Sequence, residues 1–189
     1  MSCKTLERSF YVRPTVEVAR ALLGKILIHG SAQARIVETE AYLGLADAAA
    51  HASRGRTPRT EVIFGPPGHA YVYLIYGMYE CLNVVAEPEG QAGCVLIRSL
   101  EPLKGIESMR RRRRGIDRIE QLANGPGKLT LAMGITRRHN GVDLTRGPIT
   151  VCSGCENRFE IGVSRRIGIT KNPDLPLRFF IADSPFVSR

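Results

Sequence analysis

Apolar residues in PTVEVARALL (14–23) fall at helical spacing, and Pro14 suits a first turn. Gly24 ends that helix, and KILIHG predicts a strand. SAQA then turns the chain into a second strand, RIVETEAYL (35–43). Period two along it puts Glu38, Glu40 and Tyr42 on one face and Val37, Thr39 and Ala41 on the other. The small residues of DAAAHASRG (47–55) predict a short helix, followed by the basic loop RGRTPR and the fixed turn Gly65-Pro66-Pro67-Gly68. AYVYLI and CLNVVAE read as strands around YGMY, a hairpin with Gly77 at its tip. GCVLIRSLEP predicts a further strand, and PLKGIESMRRRRRG a helix running into five arginines. RIEQLANGPGKLTLAMGI reads as a helix, a Gly-Pro turn and another helix, while GPITVC and LPLRFFIA read as strands. Strands early and late with helices between argue an α+β fold with a mixed, mostly antiparallel sheet. No βαβ alternation supports a Rossmann-type domain.

Composition narrows the picture. At 189 residues, 43% hydrophobic and 24% charged, the chain suits one domain (1–189) with a single core. No apolar run approaches the ~20 residues that span a bilayer, and MSCKTLERSF has no apolar signal region, so the expected setting is intracellular. A net charge of +9 points to an anionic partner, and without an amphipathic basic helix that partner is nucleic acid and not a membrane. Five cysteines are an odd, scattered set, so free thiols are expected. Cys152 and Cys155 form a CxxC with neither a second CxxC nor a nearby histidine pair, which argues against zinc. His29, His51, His69 and His139 lack metal-ligand spacing, so metal-free, cofactor-free chemistry is expected.

The candidate chemistry lies in YVYLIYGMY, residues 71–79, which holds four of the six tyrosines. Such rings either fill a core with satisfied hydroxyls or, on a basic protein, form a stacking platform with a wedge at the hairpin tip. Glu40 and Tyr42 share a face, which is either a solvated strand or an acid between aromatic walls, able to activate a water beside an extruded base. GPGKLT lacks the leading glycine and trailing Ser/Thr of a P-loop: Leu122 and Leu129 hold those places. Lys128 instead suits a phosphate at a helix start or a solvated turn. The run Arg110–Arg114 is a DNA contact or a solvated helix end, and Arg54, Arg56 and Arg59 lie closer to the hairpin in sequence.

The blocks RIVETEAYLG, DAAAHASRGRTPR, GPPGHAYVYLIYGMYECLNVV, GCVLIRSLEPL, LANGPGKLTLAMGI and RIGITKNPDLPLRFFIADSPFVSR together resemble, in order and over nearly the whole chain, the alkyladenine (3-methyladenine) DNA glycosylases. That resemblance implies a monofunctional enzyme that flips damaged purines from duplex DNA. It would hydrolyse the N-glycosidic bond without a cofactor, using a hairpin that protrudes into DNA. It implies Glu40 as the acid that activates water and Arg98 as the residue that helps hold it. Tyr42, His51 and Tyr73 would be walls around the base, and Asn83 would disfavour the amino group of guanine. Tyr76 would be the inserting wedge, with Met78 beside it. Arg54, Arg56, Arg59 and Lys128 are the candidate phosphate contacts, and a monomer working where DNA is (cytoplasm and nucleoid, or a nucleus) is expected. No lysine lies between Glu40 and Asn83 to form a Schiff base. Glu80, Thr60 and Asp183 depart from the family's usual text. A non-catalytic nucleic-acid-binding module and a hydrolase of free nucleosides are the rival readings.

Overall fold

The computed structural model describes residues 3–154 and 158–188. Among them eight strands form one sheet: β1 Ile26–His29, β2 Ala32–Tyr42, β3 Ala70–Ile75, β4 Tyr79–Val85, β5 Cys94–Lys104, β6 Ile149–Cys152, β7 Ile161–Ser164 and β8 Arg178–Ile181. Their order is β3-β4-β5-β2-β1-β6, with β8 against β2 and β7 outside β8. Every pairing is antiparallel. Three helices flank the sheet: α1 Thr15–Leu22, α2 Ile106–Arg112 and α3 Pro126–Met133. The expected α+β class is therefore what the chain adopts.

β2 is the central strand. β5 takes one of its edges along the whole length, while β1 pairs with Ala32–Arg35 and β8 with Glu38–Glu40. The β2–β5 register shifts on either side of Glu38, and the shift leaves Arg98 without a Cα partner. Such a bulge re-aims side chains locally. Here it lets Arg98 reach both acids of β2. On the opposite face Val37 and Ala41 join Val72, Leu82, Val84, Val95 and Ile97 in the core. α1 packs there, and the Thr39 hydroxyl donates to Ala19 O at 2.9 Å.

The differences from the expected elements are local. β2 begins at Ala32, because the turn is Gly30-Ser31 and the alternation extends back through Gln33. The helix expected over 47–55 is a single 3₁₀ turn, His51–Arg54, and RIEQ gives another, Ile119–Gln121. Pro102–Lys104 continue β5 rather than opening α2. The four-residue β7 is too short to announce itself by alternation. Cys152 ends β6, whereas Cys155 of the CxxC lies outside the described residues.

β3 and β4 pair from Ala70↔Val84 to Ile75↔Tyr79. Met78 N donates to Ile75 O at 3.2 Å, and Tyr76 and Gly77 both have positive φ (52° and 70°). Positive φ at both central residues is the signature of a type I′ turn, whose twist matches the flanking strands. Glycine adopts it freely, but tyrosine does so at a cost of about 1–2 kcal/mol. No helix among the described residues is long and apolar enough to cross a membrane.

Candidate active site

Alternate residues of four adjacent strands floor a cleft of about 550 Å³, a volume typical of small-molecule sites. β3 contributes Tyr71 and Tyr73, β4 Cys81 and Asn83, β5 Leu96 and Arg98, and β2 Tyr42. Cross-strand register brings these together, since Tyr71 faces Asn83, Tyr73 faces Cys81, and Asn83 and Glu40 both face Leu96. His51 and Ala49 close one side. The start of α3 (Pro126 to Lys128) and the loop Ile167–Ile169 also line the cleft.

His51, Tyr71 and Tyr73 form a ring cluster. Tyr71 and Tyr73 stack with centroids 5.4 Å apart and planes 30° off parallel. The His51 ring meets Tyr73 edge-on at 4.5 Å. Asn83 is pinned at both ends, its amide donating to Tyr71 O (3.2 Å) and its oxygen accepting from the Cys94 thiol (3.9 Å). Burial pushes that thiol up to about 12, so it stays protonated and donating.

Glu40 is wholly buried, behind the cleft wall formed by Tyr42, Arg98 and Ile167. Tyr42 donates to Oε2 at 2.9 Å, Ile167 N to Oε1 at 2.8 Å, and Arg98 Nη1 lies 3.2 Å from Oε1. Desolvation holds its carboxyl above the usual carboxylate range, outweighing Arg98, the Ile167 amide and the Tyr42 hydroxyl, which all favour the anion. Glu38, two residues earlier on the same face, is equally buried. It accepts from Arg98 Nε (3.1 Å), Arg178 Nε (2.6 Å), Ser188 N (2.7 Å) and Ser188 Oγ (2.8 Å). Arg98 thus bridges both acids. Tyr42 is itself held from behind, by the Arg166 guanidinium 4.6 Å above its ring. Arg166 bonds Ala41 O and both carboxylate oxygens of Asp47, its Nη2 at 2.9 Å from Oδ1.

At its rim the cleft meets the hairpin tip, where Tyr76 and Met78 are 78% and 68% exposed, too much for core residues. Glu80 turns away from this edge. Its carboxylate is directed to Arg137 at 3.5 Å, and its carbonyl accepts from Thr130 on α3 (2.9 Å). Thr60 is satisfied locally, donating to Gly55 O at 3.0 Å; Asp183 is exposed and touches none of the cleft.

The basic residues divide. A second cleft, about 440 Å³, shares the wall of Ala49, His51, Gly168 and Ile169 and is lined by Arg54, Arg59 and Lys171 with Ser53, Thr57 and Thr170; among the described residues no carboxylate lines it. Arg59 lies over the Tyr73 ring at 5.4 Å. Arg56 points elsewhere, paired with Glu61 at 2.9 Å and lying over Phe64. Lys128, at the third position of α3, lines the first cleft and donates to Asn124 at 3.0 Å. Of the arginine run, Arg112 and Arg113 are staples: Arg112 bonds Ala132 O at the end of α3, and Arg113 bonds Gln121 O and Leu122 O.

Of the residues singled out in the sequence, the structure brings Glu40, Tyr42, His51, Tyr73, Asn83 and Arg98 together and puts Tyr76 and Met78 at the rim. Sequence reasoning did not assign Glu38, Asp47, Tyr71, Arg166 or Ile167. The alternation carrying Glu40 and Tyr73 also carried Glu38 and Tyr71. Nothing in RRIGI marked a loop that would donate to an acid 127 positions away.

The methylpurine-DNA glycosylase family model matches residues 9–185. The chain is 48% identical to a protein of Alkaliphilus oremlandii, over 97% of this chain and 98% of the relative. It is 50% identical to proteins of Methanoculleus marisnigri (98% and 99%) and Rhodopseudomonas palustris (97% and 88%). All three relatives are provisionally named 3-methyladenine DNA glycosylase. The chain belongs to the methylpurine-DNA glycosylase family.

Proposed function

We propose that this member of the methylpurine-DNA glycosylase family hydrolyses the N-glycosidic bond of alkylated and otherwise damaged purines in duplex DNA, with Glu40 activating the attacking water. The observation that carries the reading is the Glu40 carboxylate: buried, charge-partnered by Arg98, and set beside a tyrosine-walled cleft. Each carboxylate oxygen offers two acceptor directions. Oε1 takes Ile167 N and Arg98, while Oε2 takes Tyr42 alone, so Oε2 retains a direction for a water. Burial moves the carboxyl towards working pH, as a general base requires.

The water oxygen bonds to C1′ as the C–N bond breaks, its electron pair leaves with the base, and the water's proton passes to Glu40. The same anion stabilises the positive charge developing on the sugar. A base methylated at N3 or N7 is cationic, so it leaves readily and is drawn to the faces of Tyr42 and Tyr73 by roughly 1–2 kcal/mol. The enzyme makes no Schiff base, and an abasic site in an intact strand is the product.

Reaching such a base requires extruding it from the stack. Tyr76, with Met78 beside it, enters the space the base leaves; His51 and Asn83 flank the base, with Asn83 excluding the guanine amino group. Arg54, Arg59 and Lys128 meet phosphates on either side of the cleft. The working form is a monomer on duplex DNA, in the cytoplasm and nucleoid or the nucleus. 3-Methyladenine, 7-methylguanine, hypoxanthine and ethenoadenine are the substrates to compare.

The test is to incubate alkylated duplex DNA with wild type and with Glu40→Gln, measuring released base and alkali-labile abasic sites. Release by wild type that disappears in the variant is expected. Tight binding by both with release by neither would replace this reading with a non-catalytic damage-binding module.

A further inference from the structure

We infer that Tyr71 is the hydrogen-bond donor that lets this site excise purines whose leaving group is neutral, because His51 holds it with its hydroxyl proton directed away from the imidazole. The inference rests on the glycosylase reading above and adds a substrate class to it. A cationic lesion departs as a neutral base. A neutral lesion departs as an anion unless a donor meets it, so the site needs an N–H or O–H aimed at the base.

The proton inventory of the cleft is set by one arginine. A guanidinium can only donate. Arg59 Nη2 lies 3.4 Å from His51 Nε2, so Nε2 is the acceptor. Burial and the Arg59 charge push the imidazole down to about 4, so at neutral pH the ring carries one proton, and that proton sits on Nδ1. Nδ1 is 3.0 Å from the Tyr71 hydroxyl and therefore donates to it. With its oxygen accepting from His51, the Tyr71 hydroxyl has its own proton left to give. The opposite tautomer would set an Nε2–H against a guanidinium N–H, two donors face to face.

Of the neighbouring hydroxyls, that of Tyr42 is spent on Glu40 Oε2 at 2.9 Å. Tyr71 is 2% exposed and lines the cleft, stacked on Tyr73, so its donor works in a desolvated setting where hydrogen bonds to developing charge are strongest. The phenol keeps its proton, since burial holds it above its ordinary range. The departing purine anion is stabilised by the hydrogen bond and takes its proton from solvent afterwards.

The experiment compares Tyr71→Phe with wild type in single turnover, on duplexes carrying hypoxanthine (neutral) and 7-methylguanine (cationic). The neutral-to-cationic rate ratio is expected to fall at least about tenfold, the size of a hydrogen bond to a charged group. An equal loss on both substrates would reduce Tyr71 to a prop for His51 and overturn the inference, as would wild type that releases 7-methylguanine and never hypoxanthine. A ¹⁵N–¹H spectrum of histidine-labelled wild type reads the tautomer independently of any variant: an Nδ1–H on His51 is expected, and an Nε2–H would overturn the donor assignment. Wild type that releases neither base would instead strike the glycosylase reading, and the tautomer would still be decided by the spectrum.

Discussion

Strands β2 to β5 present two faces that share one backbone and differ in what their side chains do. On one face Val37, Ala41, Val72, Leu82, Val84, Val95 and Ile97 join the buried apolar core, with the Thr39 hydroxyl beside them satisfied by Ala19 O. On the other, in the intervening positions, stand Glu38, Glu40, Tyr42, Tyr71, Tyr73, Asn83 and Arg98, almost all of them bonded to another member of the set or to Ser188. The first face gains stability from area removed from water. The second removes charge from water, which is costly unless each group is matched. The two buried acids show the gradation within that face. Glu38 is met by two arginines, a hydroxyl and an amide, whereas Glu40 is left under-matched, with its proton affinity raised. Apolar burial is concentrated on one side of the sheet and the buried charge of the candidate site on the other.

The strongest way to break the comparison is Glu40→Gln. Turnover should fall by about 10²–10⁴-fold, the usual worth of a general base, measured as base release under single-turnover conditions. Thermal stability should not fall with it. The folded-state pKa of Glu40 is raised, so the folded protein holds this proton more tightly than the unfolded chain. That stabilisation is present below the ordinary glutamate value and is lost as pH rises through the raised one. Above the raised value the ionised acid is a net cost, and there the variant should melt at the same temperature as wild type or higher. In wild type, release should slow as pH is lowered through the raised value.

The mirror-image substitution is Leu82→Ala, on the apolar face and wholly buried. It should cost about 2–5 kcal/mol, read from the urea midpoint, while the rate per folded molecule is kept. Next in size is Tyr76→Gly. Relief of the positive φ should leave stability equal or up to about 1 kcal/mol higher, after the greater freedom of glycine in the unfolded chain is set against it. Excision of a paired lesion should fall roughly tenfold, the worth of one lost stacking ring. A Tyr76→Gly variant at full rate on paired DNA would remove the wedge from the mechanism. The smallest effect separates two arginines. Arg59→Ala should flatten the log-log salt dependence of DNA binding by about one phosphate contact, and Arg56→Ala, tied to Glu61, should leave the slope alone.

The legible part of this molecule was the part written in local pattern. Alternation in RIVETEAYL announced the shared face of Glu38, Glu40 and Tyr42, and YVYLIYGMY announced its hairpin and turn, because both depend on residues a few positions apart. The bulge that brings Arg98 between the two acids is a mismatch between strands, and neither strand shows it alone. Arg110–Arg114 read as one charged run, yet Arg112 and Arg113 are absorbed by carbonyls from elsewhere in the chain, which composition cannot report. The Arg166–Asp47 pair behind Tyr42 was hidden for the same reason, its partners lying 119 positions apart. Glu80 looked like an acid facing DNA because sequence gives adjacency to the tip but not the direction that Arg137 and Thr130 impose.

The long reach of the contacts to β2 also sets an order in time. The hairpin of β3 and β4 closes over a few residues and can form as soon as it is made. The acids wait: Glu40 for Ile167, Glu38 for Arg178 and then Ser188, the last across 150 positions. During synthesis, which proceeds from the N-terminus at about 5–20 residues per second, a chain complete through β5 has its tyrosines, its hairpin tip and Arg98, but not Ile167, Arg178 or Ser188, the other partners of its carboxylates. On the proposed reading, competence to cut a glycosidic bond is thus acquired late in the growing chain, and a ribosome-bound fragment ending before the RRIGI loop is expected to be inert.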